Sequence, residues 1–328
     1  MLALARGIGL RLIQAFGLLI AVIVLNFILI QIAPGDAALV LAGEQGSGTP
    51  EQLAKIRADY GLDRPLLIQL LSYIGNVLQL DLGQSFYFMR PVLDLIQEKL
   101  FATVLLAGTA LTFALTVGVV LGVFTARRPE SLASSGVTIM SVVAYALPVF
   151  WTAIMFLIVF VAKLDLFPIG GIEDPRYEGG FFGELLDIGE HLILPAFTLG
   201  LIYLAYYSRL ARASMLEVLE SDYIRTARAK GVGERSVVYR HALRNALIPV
   251  VTILGLQLGG LFSGALLVET VFSWPGLGRL AFESVLRRDY PMLLGLLITT
   301  TVIVIVANLL TDLVYRVIDP RIRIGGKR

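Results

Sequence analysis

The sequence predicts an all-α integral membrane protein that crosses the bilayer six times and keeps both termini in the cytoplasm. Hydrophobic residues make up 57% of the 328 residues, and the mean hydropathy is +0.80. Soluble domains, by contrast, contain roughly 45 to 50% apolar residues. Six apolar segments approach the length of about 20 residues that a helix needs to cross the hydrocarbon core. Lys and Arg are concentrated in alternate connecting segments, a bias that orients membrane helices.

The predicted spans follow from these apolar segments. They are residues 12–32, 102–125, 137–161, 192–208, 247–268 and 292–315. The fourth is the weakest, because it is short and contains Pro195. With a cytoplasmic N-terminus, most of the 27 Lys and Arg fall in inside segments and most of the 25 Asp and Glu fall outside. The positive-inside bias therefore predicts that both termini are cytoplasmic.

The first span has a second interpretation, as a cleaved signal peptide, because Arg6 and Arg11 precede its apolar run. The run is longer than the roughly 7 to 15 residues of a signal core, and no A-x-A cleavage pattern follows it. We therefore expect an uncleaved span. The predicted organisation is a tail with the first span at 1–33, an outer segment with amphipathic helices at 34–100, and a membrane core at 101–328 with a cytoplasmic loop at about 209–246. The helices of the outer segment are predicted near 49–61 and 66–80.

The longest charged interruption in the second half of the chain is the basic segment 221–249. Ser221 and Asp222 are suitable N-caps, because their side-chain oxygens can accept the free amide protons of a first helical turn. The pattern predicts a short helix from Asp222 to Lys230, without proline or glycine inside it. Gly231 fits the left-handed residue that ends a helix.

The predicted short helix has two distinct faces. Tyr223, Ala227 and Lys230 share one face, and Arg225 and Arg228 lie on another. This arrangement is typical of a helix that docks small and aromatic groups onto a partner while its cations stay in water. A solvated cytoplasmic loop whose charge only fixes the topology explains the same residues, and the pattern alone leaves both interpretations open.

The sequence lacks the residues that most catalytic and metal sites require. It contains no cysteine, and its two histidines, His191 and His241, are far apart. No phosphate-binding G-x-x-x-x-G-K-[ST] loop and no common hydrolase motif occurs. Ionisable residues are scarce within the predicted spans, which argues against a proton relay. We therefore expect neither an enzyme nor a nucleotide site in this chain.

A glycine-rich and aromatic turn follows the fifth predicted span. Its sequence, from Glu269 to Gly278, is E-T-V-F-S-W-P-G-L-G. Proline and the glycines force a turn there. Phe272 and Trp274 suit the membrane interface, where aromatic side chains are enriched. The turn is either a functional outer element or a simple connection with interfacial aromatic residues.

The order of these features resembles the inner-membrane permease subunit of bacterial peptide and nickel ABC importers, the B-type member that pairs with a related second permease. The cytoplasmic E-A-A-x-x-x-G loop of such permeases is matched by Ala227 and Gly231. Arg225 and Thr226 stand in place of its Glu and first Ala, as is common in the peptide branch. Downstream, H-A-L-R-N-A-L-I-P at 241–249 is similar to the H-x-L-R-N-A-x-x-P of that branch.

Further matches are spread over the whole length of the chain. They are A-P-G-D at 33–36, G-L-D-R-P at 61–65, D-L-G-Q-S at 81–85, R-L-A-R-A-S-M at 209–215, F-S-W-P-G-L-G at 272–278, R-D-Y-P at 288–291 and D-P-R-I-R at 319–323. Phe101 departs from the family, which often has proline before the Ala-Thr pair that follows. The departure concerns how the second span begins.

The resemblance implies a type I ABC importer permease fold in the bacterial cytoplasmic membrane. It also implies a non-catalytic subunit that binds no cofactor, with ATP and Mg on partner ATPase subunits. The expected partners are a second homologous permease, two ATPase subunits, an outer substrate-binding protein and membrane lipid, and no nucleic acid. Di- or oligopeptides are the expected substrates. Nickel, glutathione or another small solute is the alternative within the family, and a secondary transporter or a structural membrane protein is the alternative outside it.

The resemblance also implies roles for particular residues. Those expected to couple to the ATPase are Asp222, Tyr223, Arg225, Thr226, Ala227, Arg228, Lys230, Gly231, His241, Arg244 and Asn245. Those expected to form an outer gate, or to meet the binding protein, are Glu269, Phe272, Trp274, Pro275 and Gly276. Arg225 and Arg228 are expected to meet acidic groups or helix ends on the ATPase, with lipid head groups as the alternative. Arg244 and Asn245 are expected to cap or brace the start of the fifth span.

Overall fold

The computed structural model describes residues 2–32, 51, 54, 63–176 and 179–318. Apart from one isolated bridge, the regular structure of these residues is helical, as the sequence predicts. The helices are α1 (Leu2–Ile32), α2 (Leu66–Leu78), α3 (Val92–Arg127), α4 (Leu132–Ala146), α5 (Val149–Phe156), α6 (Gly180–Leu219), α7 (Asp222–Ala229), α8 (Glu234–Ser236), α9 (Leu243–Val271), α10 (Leu277–Arg287) and α11 (Tyr290–Ile318). Two π-helical turns, Leu157–Lys163 and Val237–Ala242, extend α5 and lead into α9.

Several of these helices are long and apolar enough to cross a membrane. Within the described residues, three satisfy this condition: Val92–Arg127, Gly180–Leu219 and Tyr290–Thr311. A fourth is obtained if α4 and the bent continuation Val149–Lys163 form one span. The predicted spans 12–32 and 247–268 are helical as well, within α1 and α9.

The predicted span 137–161 is not one continuous helix. The chain breaks between α4 and α5, and the two parts are bent by 105°. Leu147 has φ −77° and ψ 133°, an extended conformation. The following residue, Pro148, causes this break, because proline donates no backbone hydrogen bond and disfavours the helical conformation of the residue before it.

Pro195 does not break the fourth predicted span. It is buried inside α6, which runs without interruption from Gly180 to Leu219. The predicted span 192–208 is therefore only the apolar middle of a 40-residue helix. Its last turns carry the chain directly to the basic segment.

Some sequence predictions fall outside the described residues. They are most of the outer helix near 49–61, the motifs at 33–36 and 319–323, and the first residues of the motif at 61–65.

The described parts of Met1–Leu100 and Leu280–Val306 form one compact unit. A buried carboxylate organises part of it. Asp289 is 1% exposed and precedes α11. It accepts hydrogen bonds from the Ser85 hydroxyl and from the backbone amides of Phe86, Tyr87 and Met292. The loop that follows α2 is thereby fixed to the start of α11, a link that sequence reasoning did not find.

The described parts of Phe101–Arg279 and Ala307–Arg323 form the other compact unit. Its central feature is a close contact between α3 and α6. A Cβ atom on Gly118 would lie 3.0 Å from the Leu204 carbonyl oxygen, and one on Gly122 would lie 2.7 Å from the Ser208 carbonyl oxygen. Residue numbers rise together along both helices, so α3 and α6 run parallel. Small residues allow this contact between backbones in membrane helices.

Candidate functional site

The helix predicted within the basic segment is present as α7, Asp222–Ala229, and it follows α6 after two residues. Ser221 occupies the N-cap position with φ −69° and ψ 152°. The predicted side-chain cap is absent, however, because the Ser221 hydroxyl donates to the Val218 carbonyl oxygen instead. The hydroxyl thus satisfies a carbonyl group at the end of α6, where the last helical carbonyls lack partners within the helix.

Gly231 ends this part of the chain as predicted. Its φ is +79°, in the left-handed region that favours glycine. The Gly231 amide donates to the Arg228 carbonyl oxygen at 2.9 Å, and the Val232 amide donates to that of Ala227 at 3.2 Å. These two bonds close the end of α7 and turn the chain sharply toward α8.

Ile224 is the buried anchor of α7, and the sequence analysis missed it. Its side chain is 0% exposed. It lies in one hydrophobic cluster, which we call the inner cluster, with residues of α3, α6 and the turn before α9. The other buried members are Val123, Ala126, Met215, Val237, Val238, Ala242 and Ala246. Its burial could have been predicted from the sequence, because Ile224 is the one large aliphatic residue of α7.

The opposite face of α7 is exposed. Asp222, Arg225, Thr226 and Lys230 all lie in solvent, and Ala227 is half-buried. The closest approach of Arg225 to Asp222 is 3.5 Å, with side chains 71% and 98% exposed. Such an exposed pair contributes little. Arg225 is therefore available for contact with another molecule.

Arg228, unlike Arg225, has a close charged partner outside its own helix. Its guanidinium donates to both carboxylate oxygens of Glu234, at 2.8 and 3.2 Å, and to the Leu219 carbonyl oxygen at 3.4 Å. The hydrogen bond from Arg228 lowers the pKa of Glu234 below its ordinary value. Arg228 therefore links the two sides of the Gly231 turn, and its expected contact with the ATPase stays a prediction.

Tyr223 and Asn245 connect α7 to α9. The Asn245 Nδ2 donates to the Tyr223 hydroxyl at 2.7 Å, and that hydroxyl lies 3.5 Å from the His241 carbonyl oxygen. Arg244 is exposed. Neither Arg244 nor Asn245 is the N-cap of α9, because α9 continues directly from the π-helical turn Val237–Ala242. Asn245 links the start of α9 to α7 through the Tyr223 hydroxyl, and a bracing role for Arg244 stays a prediction.

The second candidate site is the turn after α9, which we call the outer turn, 269–279. Glu269 is fully buried at 0% exposure. The Thr103 hydroxyl donates to Glu269 Oε1 at 2.7 Å and accepts from the Leu277 amide at 2.7 Å. The Arg279 amide donates to Glu269 Oε2 at 3.0 Å. Thr103 on α3 and Glu269 together hold both ends of the turn.

The two aromatic residues of the outer turn are in the protein core. Phe272 is 1% exposed and Trp274 is 0% exposed, so their rings pack inside the protein and do not form an exposed aromatic belt. The Trp274 indole nitrogen donates to the Ala102 carbonyl oxygen at 2.8 Å. A buried indole needs such an acceptor, and the α3 carbonyl supplies it.

Glycine is required where the outer turn meets the buried carboxylate. A Cβ atom on Gly276 would lie 2.3 Å from the Glu269 carboxyl group, and one on Gly278 would lie 2.5 Å from the Leu266 Cα. Pro275, between the buried Trp274 and Gly276, is half-buried. Of the predicted gate residues, none is fully exposed, and the exposed position of the turn is Ser273.

No group of three or more His, Cys, Asp or Glu side chains that would suit a metal ion occurs in the described part of the chain. The two candidate sites of the chain are the helix α7, which is buried on one face at Ile224, and the closely packed outer turn.

Two family models cover nearly the whole chain. The model described as the binding-protein-dependent transport system inner membrane component matches residues 118–324. The model described as the N-terminal part of a binding-protein-dependent transport system membrane component matches residues 4–107. The first match includes α7 and the outer turn, and the second includes Thr103.

Curated relatives are similar over almost their full length. The dipeptide transport system permease protein DppB of Escherichia coli K12 is 40% identical over 321 residues, which are 93% of this chain and 94% of that protein. The di/tripeptide transport system permease protein DppB of Pseudomonas aeruginosa is 40% identical and 98% of each chain is covered. The oligopeptide transport system permease protein AppB of Bacillus subtilis is 38% identical, with 95% and 97% covered.

A solved structure shares the fold. A chain of the inward-facing MetNI methionine ABC transporter superposes with a TM-score of 0.55 at 15% sequence identity, covering 69% of this chain and 96% of that one. This likeness agrees with the helical architecture of the chain. The chain belongs to the family of binding-protein-dependent transport system inner membrane components.

Proposed function

We propose that this chain is the permease subunit of an ATP-driven, binding-protein-dependent importer of di- or oligopeptides. The observation that carries the proposal is its identity of about 40% to dipeptide and di/tripeptide permeases over more than nine-tenths of its length. Nickel, glutathione or another small solute is the alternative cargo. A heterodimer with a second, homologous permease forms the pathway.

The rest of the assembly follows from the family. Two ATPase subunits bind ATP and Mg, while this chain itself is non-catalytic and holds no cofactor. A substrate-binding protein delivers the cargo from outside. We further propose six spans in the bacterial inner membrane, a type I importer fold and cytoplasmic termini. The three proposed parts are 1–33, 34–100 and 101–328. The positive-inside bias and the parallel course of α3 and α6 support this topology.

In this proposal, α7 couples transport to ATP hydrolysis by the partner subunits. Its exposed face, with Arg225, Thr226 and Lys230, docks on an ATPase subunit. The buried Ile224 on the other face joins it to the inner cluster. A helix with one buried face and one exposed face can bind a partner through the exposed face and transmit the movement of that partner to the residues packed on the buried face. Gly231 supports this geometry, because it lets the chain leave the helix at once.

The outer turn is the proposed gate and contact for the binding protein. Because Glu269 and Trp274 are buried, they hold the turn and do not themselves touch a partner. Ser273 is the exposed position from which a contact is made. The turn therefore acts as a rigid element and not as a mobile flap.

The test is cargo uptake and crosslinking in reconstituted vesicles containing both permeases, the ATPase subunits and the binding protein. The chain contains no cysteine, so a single Thr226→Cys variant reports contacts of α7 without background from this subunit. We expect ATP-dependent uptake of a labelled dipeptide and crosslinking of Cys-substituted Thr226 to the ATPase. The matched control is Thr116→Cys, on α3.

Uptake of nickel or glutathione without dipeptide uptake would replace the proposed substrate. Uptake driven by an ion gradient in the absence of ATP would replace the whole function. Equal crosslinking from both cysteine variants would contradict the docking of α7.

A further inference from the structure

The outer turn and the coupling helix, which is α7 (Asp222–Ala229), both depend on α3 (Val92–Arg127). In the N-terminal third of α3, the Thr103 hydroxyl bonds to Glu269 and to the Leu277 amide, and the Ala102 carbonyl oxygen accepts from the Trp274 indole. All these groups are buried. The turn therefore has buried polar anchors on two consecutive residues of α3, in addition to the bond that the Gly171 amide donates to the Phe272 carbonyl oxygen at 3.1 Å.

At the other end of α3, Val123 and Ala126 lie in the inner cluster with Ile224 of α7. Twenty-three residues separate Thr103 from Ala126, a helical length of about 34 Å at 1.5 Å per residue. The same helix thus contributes side chains to the inner cluster that holds α7 and hydrogen-bonding groups to the outer turn.

The middle of α3 is stiffened by its contact with α6. Gly118 and Gly122 leave no room for a side chain between the two backbones, since Cβ atoms there would lie 3.0 Å or less from α6 atoms. A Cβ atom on Gly200 of α6 would likewise lie 2.9 Å from the Ala110 carbonyl oxygen of α3. Contacts along three turns or more restrain sliding and bending, and α6 itself leads into α7.

We propose that α3 and α6 form a rod that moves the outer turn together with the coupling helix, and that Thr103 is the positioning residue that joins the turn to the rod. The inference rests on the proposed function, in which α7 receives the motion of the ATPase. In this proposal, a displacement of α7 passes through the inner cluster to α3. It reaches the outer turn through the hydrogen bonds of the Thr103 hydroxyl. The turn then moves as part of the rod.

The decisive variant is Thr103→Val, which removes the hydroxyl at nearly constant volume. Thr116→Val is the matched control, because it makes the same change on the same helix. The Thr116 hydroxyl bonds only to the Thr112 and Phe113 carbonyl oxygens of α3 itself. Thr103→Ser retains a hydroxyl and tests rescue.

The measurement is ATP hydrolysis by the complete complex in vesicles, with and without peptide-loaded binding protein. For Thr103→Val we expect the stimulation by loaded binding protein to fall by about fivefold or more, within the usual range of coupling between sites. Basal hydrolysis and copurification of the ATPase stay at wild-type levels. Thr116→Val and Thr103→Ser behave as the wild type does. If loaded binding protein stimulates ATP hydrolysis by the Thr103→Val complex as strongly as that of the wild type, and basal hydrolysis is intact, then Thr103 does not link the turn to α3. The proposed function would be unaffected by that result.

A second measurement needs no destabilising variant. Spin labels are placed on cysteines at the exposed positions Ser273 and Ala229, at the outer turn and on α7. The rod predicts the same distance distribution between the labels in the ATP-free and ATP-bound complexes, and a shift between them overturns it. Failure of the wild-type chain to copurify with an ATPase contradicts the proposed function instead, so the two failures are distinguishable.

Discussion

Asn245 donates a hydrogen bond to the Tyr223 hydroxyl at 2.7 Å, and this contact ties the first turn of α7 to the first turn of α9. The two residues are 22 positions apart in the chain. Ile224, next to Tyr223, is buried against the same group of helices. Helix α7 is therefore held by a polar contact and an apolar contact on adjacent residues.

The first prediction concerns this polar contact. We expect Tyr223→Phe and Asn245→Leu each to lower ATP-dependent peptide uptake by about threefold to tenfold, since a hydrogen bond contributes about 1 kcal/mol. The double variant should be no worse than the more severe single variant, because both changes remove one bond. Uptake rates of the four proteins complete the cycle.

Tyr145→Phe is the control, since it keeps the ring that Arg209 covers at 4.6 Å and removes only an exposed hydroxyl. Additive losses in the double variant would mean that Tyr223 and Asn245 act separately.

The second prediction concerns the apolar contact. Ile224→Ala should destabilise the purified subunit by about 3 kcal/mol, because truncating a buried Ile loses burial and leaves a cavity. Ile224→Val removes one methylene group and should cost about 1 kcal/mol. Thermal unfolding in detergent measures both, and Thr226→Ala, on the exposed face of α7, is the control. An Ile224→Ala protein as stable as the control would show that the inner cluster does not hold α7.

Local features of both sites follow from the sequence, and long-range contacts do not. Gly231 was predicted to be left-handed because the end of a helix needs only local rules, and its φ of +79° agrees. Pro148 is the residue that predicts the break in the third span, but the apolar residues on both sides of it favour a single span. The burial of Trp274 depends on Ala102, which is 172 residues earlier. The residues within the turn carry no local pattern that identifies so distant a partner, and their sequence alone is equally typical of interfacial aromatic residues.

The third prediction concerns the ion pair across the Gly231 turn. Arg228 lowers the pKa of Glu234 in the folded loop. The stabilisation is therefore fully present above the ordinary pKa of a glutamate, and it is lost as the pH falls through the depressed value. Uptake between about pH 6 and pH 8 should not vary because of this pair, since Glu234 stays ionised there.

Glu234→Gln at pH 7 should imitate the acid state of the loop. The side chains of Arg228 and Glu234 are 42% and 57% exposed, so we expect only about a twofold rise in amide hydrogen exchange for the loop around Gly231. Glu217→Gln, an exposed glutamate on α6, is the control. Exchange that is equal in the two variants would indicate that the pair does not restrain the loop.

The fourth prediction concerns the fit of the outer turn around Glu269. Gly276→Ala places a methyl group 2.3 Å from a carboxyl group that cannot retreat, because Thr103 and the Arg279 amide hold its two oxygens. Overpacking of this kind costs about 1 to 3 kcal/mol. Gly108→Ala, with nothing within 4 Å of the new atom, should instead be neutral or stabilising by up to about 1 kcal/mol, as alanine is preferred over glycine inside a helix.

Thermal unfolding of the two variants beside the wild type makes the comparison. If Gly276→Ala unfolds at the wild-type temperature, then the turn yields to the added methyl group, and the bond from Thr103 to Glu269 does not fix it. If Gly276→Ala is destabilised while Gly108→Ala is not, the cost arises from the buried carboxylate and not from adding a methyl group to a glycine. Peptide uptake by Gly276→Ala should then fall together with its stability, because the same contact holds the turn to α3.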